Sequence, residues 1–536
     1  MSNDTERRAF FKLATAGVAG TAFVALSAKA LAQATMASPR QFICDVTSFG
    51  AKGDGKTLDT LAVNKAIETA STGGGGMVVV PPGVYLCYSI HLKSNVELHL
   101  SQGSTILAAP SPLEPSTSAY DLAEPRQPWE DYQDYGHNHW HNSLMWGEGI
   151  ENFSITGPGL IYGKGLSSGR GKEGPPIAEV QGVGNKAIAL KNCRNVIMRD
   201  FSILQGGHFA ILATGVDNWT LDNVTMDTNR DGVDIDCCRN VRVSNCAVNS
   251  PWDDAICPKS SFALGYARPT DMLTITNCLV AGQFEMGTLL DGTFKRFPAD
   301  AKVPRNGRIK FGTESNGGFQ NITISNCVFD GCRGLALETV DGALLEDITI
   351  TNITMRDLLD CPIFLRLGAR MRGPSTIPVG VLRRVVISNI VASNVGSRVS
   401  SLISGVPGHQ IEDVRISNII IQHKGGGPKE MAALQLAENE QKYPEPNMFG
   451  PTPSNGFYIR HVRGIEMGDI KIEAIKEDAR PAFVLNDVQQ SDFFHIKTPK
   501  VAAVPTFALN NVEDFSVERS RPLADTVIEK AAEKTL

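Results

Sequence analysis

The sequence predicts an all-β protein, a single-stranded right-handed parallel β-helix closed at its N-terminal end by a capping helix. Two observations carry this reading. One short phrase keeps returning, as Asn95-Val-Glu-Leu-His-Leu, Asn152-Phe-Ser-Ile-Thr-Gly, Asn195-Val-Ile-Met-Arg-Asp, Asn240-Val-Arg-Val-Ser-Asn-Cys, Asn321-Ile-Thr-Ile-Ser-Asn-Cys and Asp413-Val-Arg-Ile-Ser-Asn-Ile. In it apolar and polar residues alternate, β-branched residues dominate and Asn or Gly marks the end, the pattern of a short half-buried strand. The steps from Asn195 to Asn218 and from Asn218 to Asn240 are 23 and 22 residues. That period suits a solenoid whose every turn holds several short strands, whereas a propeller blade needs about 40 residues. Turns of such a solenoid stack at ~4.8 Å, so Asn at equivalent bends is expected to form a side-chain ladder.

The elements follow in order. Arg7-Arg8-Ala9-Phe10-Phe11-Lys12 precedes an apolar stretch from Leu13 to Ala28, and Ala30-Leu31-Ala32 offers small residues for cleavage. Residues 1–32 therefore read as a twin-arginine-type signal peptide, which implies export of an already folded, periplasmic or secreted protein. No later apolar run reaches about 18 residues, so no membrane association is expected after signal cleavage. Residues 40–520 form the expected β-helix domain. Within it Asp59 is a candidate N-cap, and Leu61, Ala62, Ile67 and Ala70 suit one face of a helix that could cover the open apolar end of the solenoid. Gly73 to Gly76 then turn the chain into the strand Met77-Val-Val-Val-Pro. The segment 424–455, rich in Gly, Pro and Glu, is long enough for a functional loop. Residues 521–536 read as a C-terminal tail.

Composition narrows the function. A net charge of −6 with 20% charged residues opposes nucleic-acid binding, which calls for a basic surface. Any grip on an anionic polymer must come from a few local cations. The eleven cysteines are odd in number and irregular in spacing, which does not suit a disulfide framework. Cys193, Cys246, Cys278 and Cys327 each follow an Asn and are expected to stack as interior thiols. The pair Cys237-Cys238 fits no pattern, and no spacing resembles a zinc site.

The chemistry is concentrated in Asn229-Arg230-Asp231-Gly232 and Trp252-Asp253-Asp254-Ala255-Ile256-Cys257-Pro258-Lys259-Ser260. Asp231 and Asp253 are 22 residues apart, one local repeat, so the solenoid should stack them with ~5–8 Å between carboxylates. Clustered carboxylates repel, and at least one should stay protonated, so an acid and a base coexist. Cleavage of a glycosidic bond needs that combination. Asp and Asn also cap turns, but three in register beside Lys259 favour chemistry.

At these residues the chain resembles glycoside hydrolase family 28, the polygalacturonase and rhamnogalacturonase group on the pectin-lyase-like solenoid. Asn229-Arg230-Asp231 matches the family's Asn-Thr-Asp turn. Asp253, Asp254, Ile256, Lys259 and Ser260 match its Asp-Asp pair, Ile and Lys-Ser. The resemblance extends over most of the mature chain, from Phe49-Gly50-Ala51-Lys52-Gly53-Asp54-Gly55 to Tyr443-Pro-Glu-Pro-Asn-Met-Phe-Gly. It implies an inverting hydrolase, with Asp253 as general acid and Asp231 with Asp254 activating water. It implies neither metal nor cofactor, and its substrate would be a plant cell-wall polysaccharide or oligosaccharide.

The likeness breaks where the family's Gly-His-Gly should follow, because residues 306–318 hold no histidine. Two alignments of the family's Arg-Ile-Lys remain. Arg308-Ile309-Lys310 matches it literally, but its flanks look like the coil of the missing histidine. In that case Arg333-Gly-Leu-Ala-Leu-Glu-Thr is the Arg-Ile-Lys coil, with Ala336 and Glu338 where cations belong. The second alignment is favoured; Arg308 or Lys310 then replaces the lost cation, or the reacting sugar lacks a carboxylate, and Glu338 is an extra acid in the groove.

Further substrate-binding candidates are Asn229, Lys259, His208 and Trp140. His208 lies one coil before Asp231 and reads equally as a buried structural ring. Trp140 belongs with Trp129, Tyr132, Tyr135 and Trp146, either sugar platforms or a loop packed on itself. His137, His139 and His141 share that loop. The expected protein is an exo-acting monomer, its far end walled off by the 424–455 loop. The rivals are a Ca²⁺-dependent polysaccharide lyase, with the Asp residues as metal ligands, and a non-catalytic glycan-binding solenoid.

Overall fold

The computed structural model describes residues 42–168 and 178–536; the expected signal segment lies outside them. The fold is the expected right-handed parallel β-helix. Its strands form a 28-stranded sheet that runs the length of the solenoid and a six-stranded parallel sheet. The six-stranded sheet joins Ile90–His91, Met145–Glu148, Lys186–Lys191, Phe209–Thr214, Asp231–Asp236 and Ile256–Lys259 in sequence order.

Alternation in the phrases becomes a continuous interior column. Val196 faces Trp219, which faces Val241, then Leu273, Ile322 and Ile348 on successive coils. All six are buried. One coil cannot cover such a face alone, so the stacking is what makes the core.

The Asn phrases turn the corners as expected. Asn95, Asn152, Asn195, Asn218 and Asn240 have φ between 54° and 62°, a left-handed conformation that Asn tolerates better than other side chains. Each amide donates to the oxygen one coil below: Asn152 to Asn95 at 3.2 Å, Asn195 to Asn152 at 2.8 Å and Asn218 to Asn195 at 2.9 Å. Replacing exposed Asn218 with Val is expected to cost about 2 kcal/mol, from the left-handed strain and the lost ladder bonds. Asn218→Gly should cost less, because it relieves the strain and loses only the ladder; denaturant midpoints of both variants check this.

All eleven cysteines are free and buried. Cys246, Cys278 and Cys327 adjoin paired strands in one interior stack, whereas Cys193 belongs to another column with Val216 and Cys238. The Cys237-Cys238 pair thereby gains an account. Cys238 is the interior corner residue, its thiol 3.2 Å from the Ala213 carbonyl. Cys237 takes the left-handed bend at φ 55°.

Both ends differ in detail from the sequence reading. The capping helix α1 spans Thr60–Thr72, but Asp59 does not cap it with its side chain. That carboxylate accepts instead from the Lys52 and Gly53 amides at 2.7 and 3.0 Å, tying the glycine-rich lead-in to the helix start. The buried face is Val63, Ala66, Ile67 and Ala70, and Leu61 is exposed. At the other end the expected tail holds a strand, Thr526–Thr535, antiparallel to Phe507–Glu518. Ile528 and Ala531 are buried there, so the strand covers an edge that would otherwise be open to pairing.

Candidate active site

Successive strands of the six-stranded sheet advance by 22 residues from Phe209 to Asp231 but by 23 from Val233 to Ile256. The bend between Asn249 and Ile256 holds one more residue than its predecessor. The 22-residue spacing therefore does not stack Asp253 on Asp231. Asp254 takes that place, its backbone N–H donating to Asp231 Oδ1 at 3.0 Å. Gly232 N–H donates to the Asp254 carbonyl at 3.0 Å, and a Cβ on Gly232 would meet Ala255 O at 2.4 Å. Glycine is required there because the two coils approach so closely. Asp253 stands beside Arg230, whose Nε and Nη2 donate to its Oδ2 at 3.1 and 2.7 Å. The three carboxylates offer oxygens within 4.8 Å of one another, closer than the sequence spacing suggested.

Their environments differ. Burial, with Asp253 and Asp234 adding like charge, pushes the Asp231 carboxyl well above its ordinary value. Burial alone would push Asp254 up as well, but Arg308, Lys310 and Lys259 overrule it and hold the group at about 2. Asp231 thus keeps a proton where Asp254 is ionised. Asp253 has the most accessible side chain of the three, 20% exposed against 5% for Asp254.

Lys259 is buried against Glu314 at 3.3 Å, Asp234 at 3.8 Å and the Gly312 carbonyl at 3.2 Å. It is a centre of site charge more than an exposed substrate contact. Burial holds Asp234 up at about 8 against the pull of Lys259, and neither of its oxygens has a hydrogen-bond partner. His137 reaches this cluster from the 129–146 loop, 3.7 Å from Asp234 and 3.8 Å from Glu314. Burial lowers its basicity.

Strand pairing gives the coil of each stretch in the two alignments of the cation motif. Ile309 bridges to Ile256, which places Arg308 and Lys310 on the coil directly after the Asp pair. Lys310 then faces Ala336, so Ala336 and Glu338 stand one coil further on. Both cations enter the site. Arg308 Nε donates to Asp254 Oδ1 at 2.9 Å and Nη2 to Glu445 Oε1 at 2.5 Å. Lys310 Nζ lies 3.5 Å from Asp254, 3.3 Å from Glu445 and 3.9 Å from Glu338. Burial pushes Glu338 up to about 8, and its oxygens lack partners. Ala336 packs with Phe364 and Leu402.

Of the other candidates, Asn229 is half-buried with an unpartnered side-chain oxygen. The His208 ring lies tilted against Phe209, centroids 4.3 Å apart, and is held neutral by burial and by Arg230. Trp140 is not a sugar platform. It is buried with Ala189, Phe209 and Leu212 on the outer face of the six-stranded sheet, and its indole donates to Thr214 at 3.1 Å. The loop that carries it packs on an apolar patch of that face formed by Ala189, Phe209 and Leu212, with Lys191 over the indole ring at 4.3 Å.

Glu314 and Asp234 were not singled out from the sequence, His137 stood there only as one of three loop histidines, and Tyr443 and Glu445 only within the Tyr443-Pro-Glu-Pro-Asn-Met-Phe-Gly segment of the resemblance. Asp234 had a signal, the outward position between inward Val233 and Ile235; Glu445, nearly two hundred residues from Asp254, lay in a segment that was noticed, with nothing to place it at the site. Among the described residues three groups could hold a cation: Glu124, His141 and Glu148; Asp231, Asp234 and Cys257; and the Asp231, Asp253 and Asp254 trio. The last is flanked by Arg230, Arg308 and Lys310, whose charges compete with a divalent ion.

Known proteins resemble this chain in sequence and in fold. The family model "Rhamnogalacturonase A/epimerase, pectate lyase-like" matches residues 43–254. A relative from Vitis vinifera named "Probable polygalacturonase" is 23% identical over 416 residues, 72% of this chain and 75% of the relative. The exopolygalacturonase of Thermotoga maritima shares the fold, with TM-score 0.56 and 19% identity over 92% of this chain and 95% of that one. So does the family 28 exopolygalacturonase of Yersinia enterocolitica, with TM-score 0.60 and 20% identity over 83% of this chain and 78% of that one. Residues 43–254 are thus similar to the rhamnogalacturonase A/epimerase, pectate lyase-like family, and the chain shares the right-handed parallel β-helix of the two solved exopolygalacturonases.

Proposed function

We propose that the protein is an inverting, exo-acting hydrolase of pectic material, of galacturonan or rhamnogalacturonan type, exported in folded form through the twin-arginine signal. The observation that carries the reaction is the trio of carboxylates in which Asp254 is held ionised by cations and Asp231 is held protonated by burial. Asp253, the most accessible, protonates the leaving oxygen, and Asp231 with Asp254 holds the attacking water. In the free protein the proton rests on Asp231 while Arg230 hydrogen-bonds Asp253. Passing that one proton from Asp231 to Asp253 through a water, as the sugar binds, creates the acid and frees the base together.

A two-carboxylate inverting site commonly spans ~6.5–9.5 Å. Here a pair holds the water, and oxygens within 4.8 Å of each other can both reach it at ~2.8 Å. Exo action is supported by the roof that Tyr443 and Glu445 place over Lys310 and Arg308.

Proton NMR during hydrolysis of galacturonan and rhamnogalacturonan oligosaccharides tests both points. The first product signal is expected to be the monosaccharide of inverted anomeric configuration. Retained configuration would instead make one carboxylate a nucleophile, and mixed oligosaccharides would end the exo assignment. For export, replacing Arg7 and Arg8 with Lys is expected to leave the protein in the cytoplasm.

A further inference from the structure

We propose that the sugar bound beside Asp254 is uncharged, because Glu445 occupies the position at Arg308 and Lys310 that a uronate carboxylate would take. This rests on the reading of the cleft as a glycan-cleaving site and narrows its substrate class.

The argument is one of geometry and charge. Glu445 Oε1 accepts from Arg308 at 2.5 Å and from Lys310 at 3.3 Å, so one carboxylate oxygen bridges both cations. Asp254 takes a second contact from each, at 2.9 and 3.5 Å. Two buried cations are therefore matched by two carboxylates of the chain itself. Glu338, a third acid 3.9 Å from Lys310, adds no positive charge. A uronate entering here would be an extra anion in a buried site where, among the described residues, Arg308, Lys310 and Arg333 each already face a carboxylate, so a resident carboxylate would have to leave to admit it.

Glu445 is held in place by more than its ion pairs. The loop before it is fastened through its backbone: buried Arg366 donates to the Glu438 carbonyl at 3.0 Å, and buried Arg460 to the Leu436 carbonyl at 2.8 Å. Arg333 lies 3.7 Å from the other Glu445 oxygen. Beside Glu445, Tyr443 is 53% exposed, while its hydroxyl accepts from Lys310 at 3.1 Å. An exposed ring next to neutralised cations offers stacking area to the apolar face of a sugar without asking for a charge. A neutral or deoxy sugar, or an esterified uronate, fits those terms.

Calorimetric titration of the Asp253→Asn protein with trigalacturonate and with its fully methyl-esterified form isolates charge at nearly constant shape. The ester is expected to bind about tenfold more tightly. Adding Glu445→Gln should raise affinity for the free acid at least about tenfold while moving the ester by less than about threefold, the coupling expected of a carboxylate competing for one place. Tighter binding of the free acid, unchanged by Glu445→Gln, would overturn the proposal, as would binding of neither form at millimolar concentration. Should the Glu445→Gln protein fail to fold, the acid-against-ester comparison alone still decides. The hydrolase reading fails separately: the wild-type protein would release no sugar from any pectic oligosaccharide while the ester preference persisted. Release of sugar together with a preference for the free acid would sink the inference alone.

Discussion

Replacing Asp253 with Asn is expected to lower kcat on a pectic oligosaccharide by about 10²- to 10⁴-fold, the range of a lost general acid, while KM changes little. Asn keeps the volume of Asp and can still accept from Arg230, so the fold and the cleft should survive. What it cannot do is deliver a proton to a departing sugar oxygen. The loss should therefore shrink on an aryl glycoside, whose leaving group needs no protonation. Asp231→Asn provides the comparison: as part of the base it should hurt both substrates alike. Steady-state rates of the two variants on both substrates decide the matter. If Asp231→Asn spares the aryl glycoside and Asp253→Asn does not, the acid is Asp231, which already holds the proton in the free protein.

The fold was legible because it is periodic. Each Asn at a corner declares a left-handed bend, and each Val or Ile two residues apart declares the inward face. Asp231 and the Asp253–Asp254 pair were legible for the same reason, as features one turn apart. The error in their register came from a single residue in the bend before Asp253. A count of residues between motifs reports loop length and coil offset together, and only the hydrogen bonds of the coil separate them. The cation motif was ambiguous for a related reason: the excursion between Ala281 and Gly307 breaks the count, and only the bridge from Ile256 to Ile309 restores it. Trp140 misled because aromatic content in a loop does not say which face it meets; here an apolar patch on the outer face of the sheet takes the ring. The segment of Glu445 was noticed but its place beside Arg308 was out of reach, since that depends on how a long insertion folds back over the coil.

Lys259→Met is expected to destabilise the protein by about 3–5 kcal/mol at neutral pH, the cost of breaking a buried ion pair from one side. Its ammonium is the shared partner of Glu314 and Asp234, and Met fills the space without the charge. The pH dependence distinguishes this from simple loss of packing. Glu314 is held well below its ordinary value against burial by Lys259, His137 and two arginines, so its stabilisation is present above that ordinary value and is lost as pH falls. Lys259 is raised against burial by Asp234 and Glu314, so its contribution is fully present throughout the neutral and acid range. In the variant, acid protonates Glu314 and removes the charge that has lost its Lys259 partner, so the deficit relative to wild type should narrow as pH falls below the ordinary carboxylate range. A packing defect would stay constant with pH. Activity offers a second readout, because Lys259 also restrains the rise of Asp231. Without it Asp231 keeps its proton to higher pH, and the alkaline limb of kcat/KM should move upward. Denaturant titrations across pH and a rate profile on the folded variant measure the two effects. A constant stability deficit with an unmoved alkaline limb would reduce Lys259 to a filler of space and leave the protonation of Asp231 to burial and its carboxylate neighbours alone.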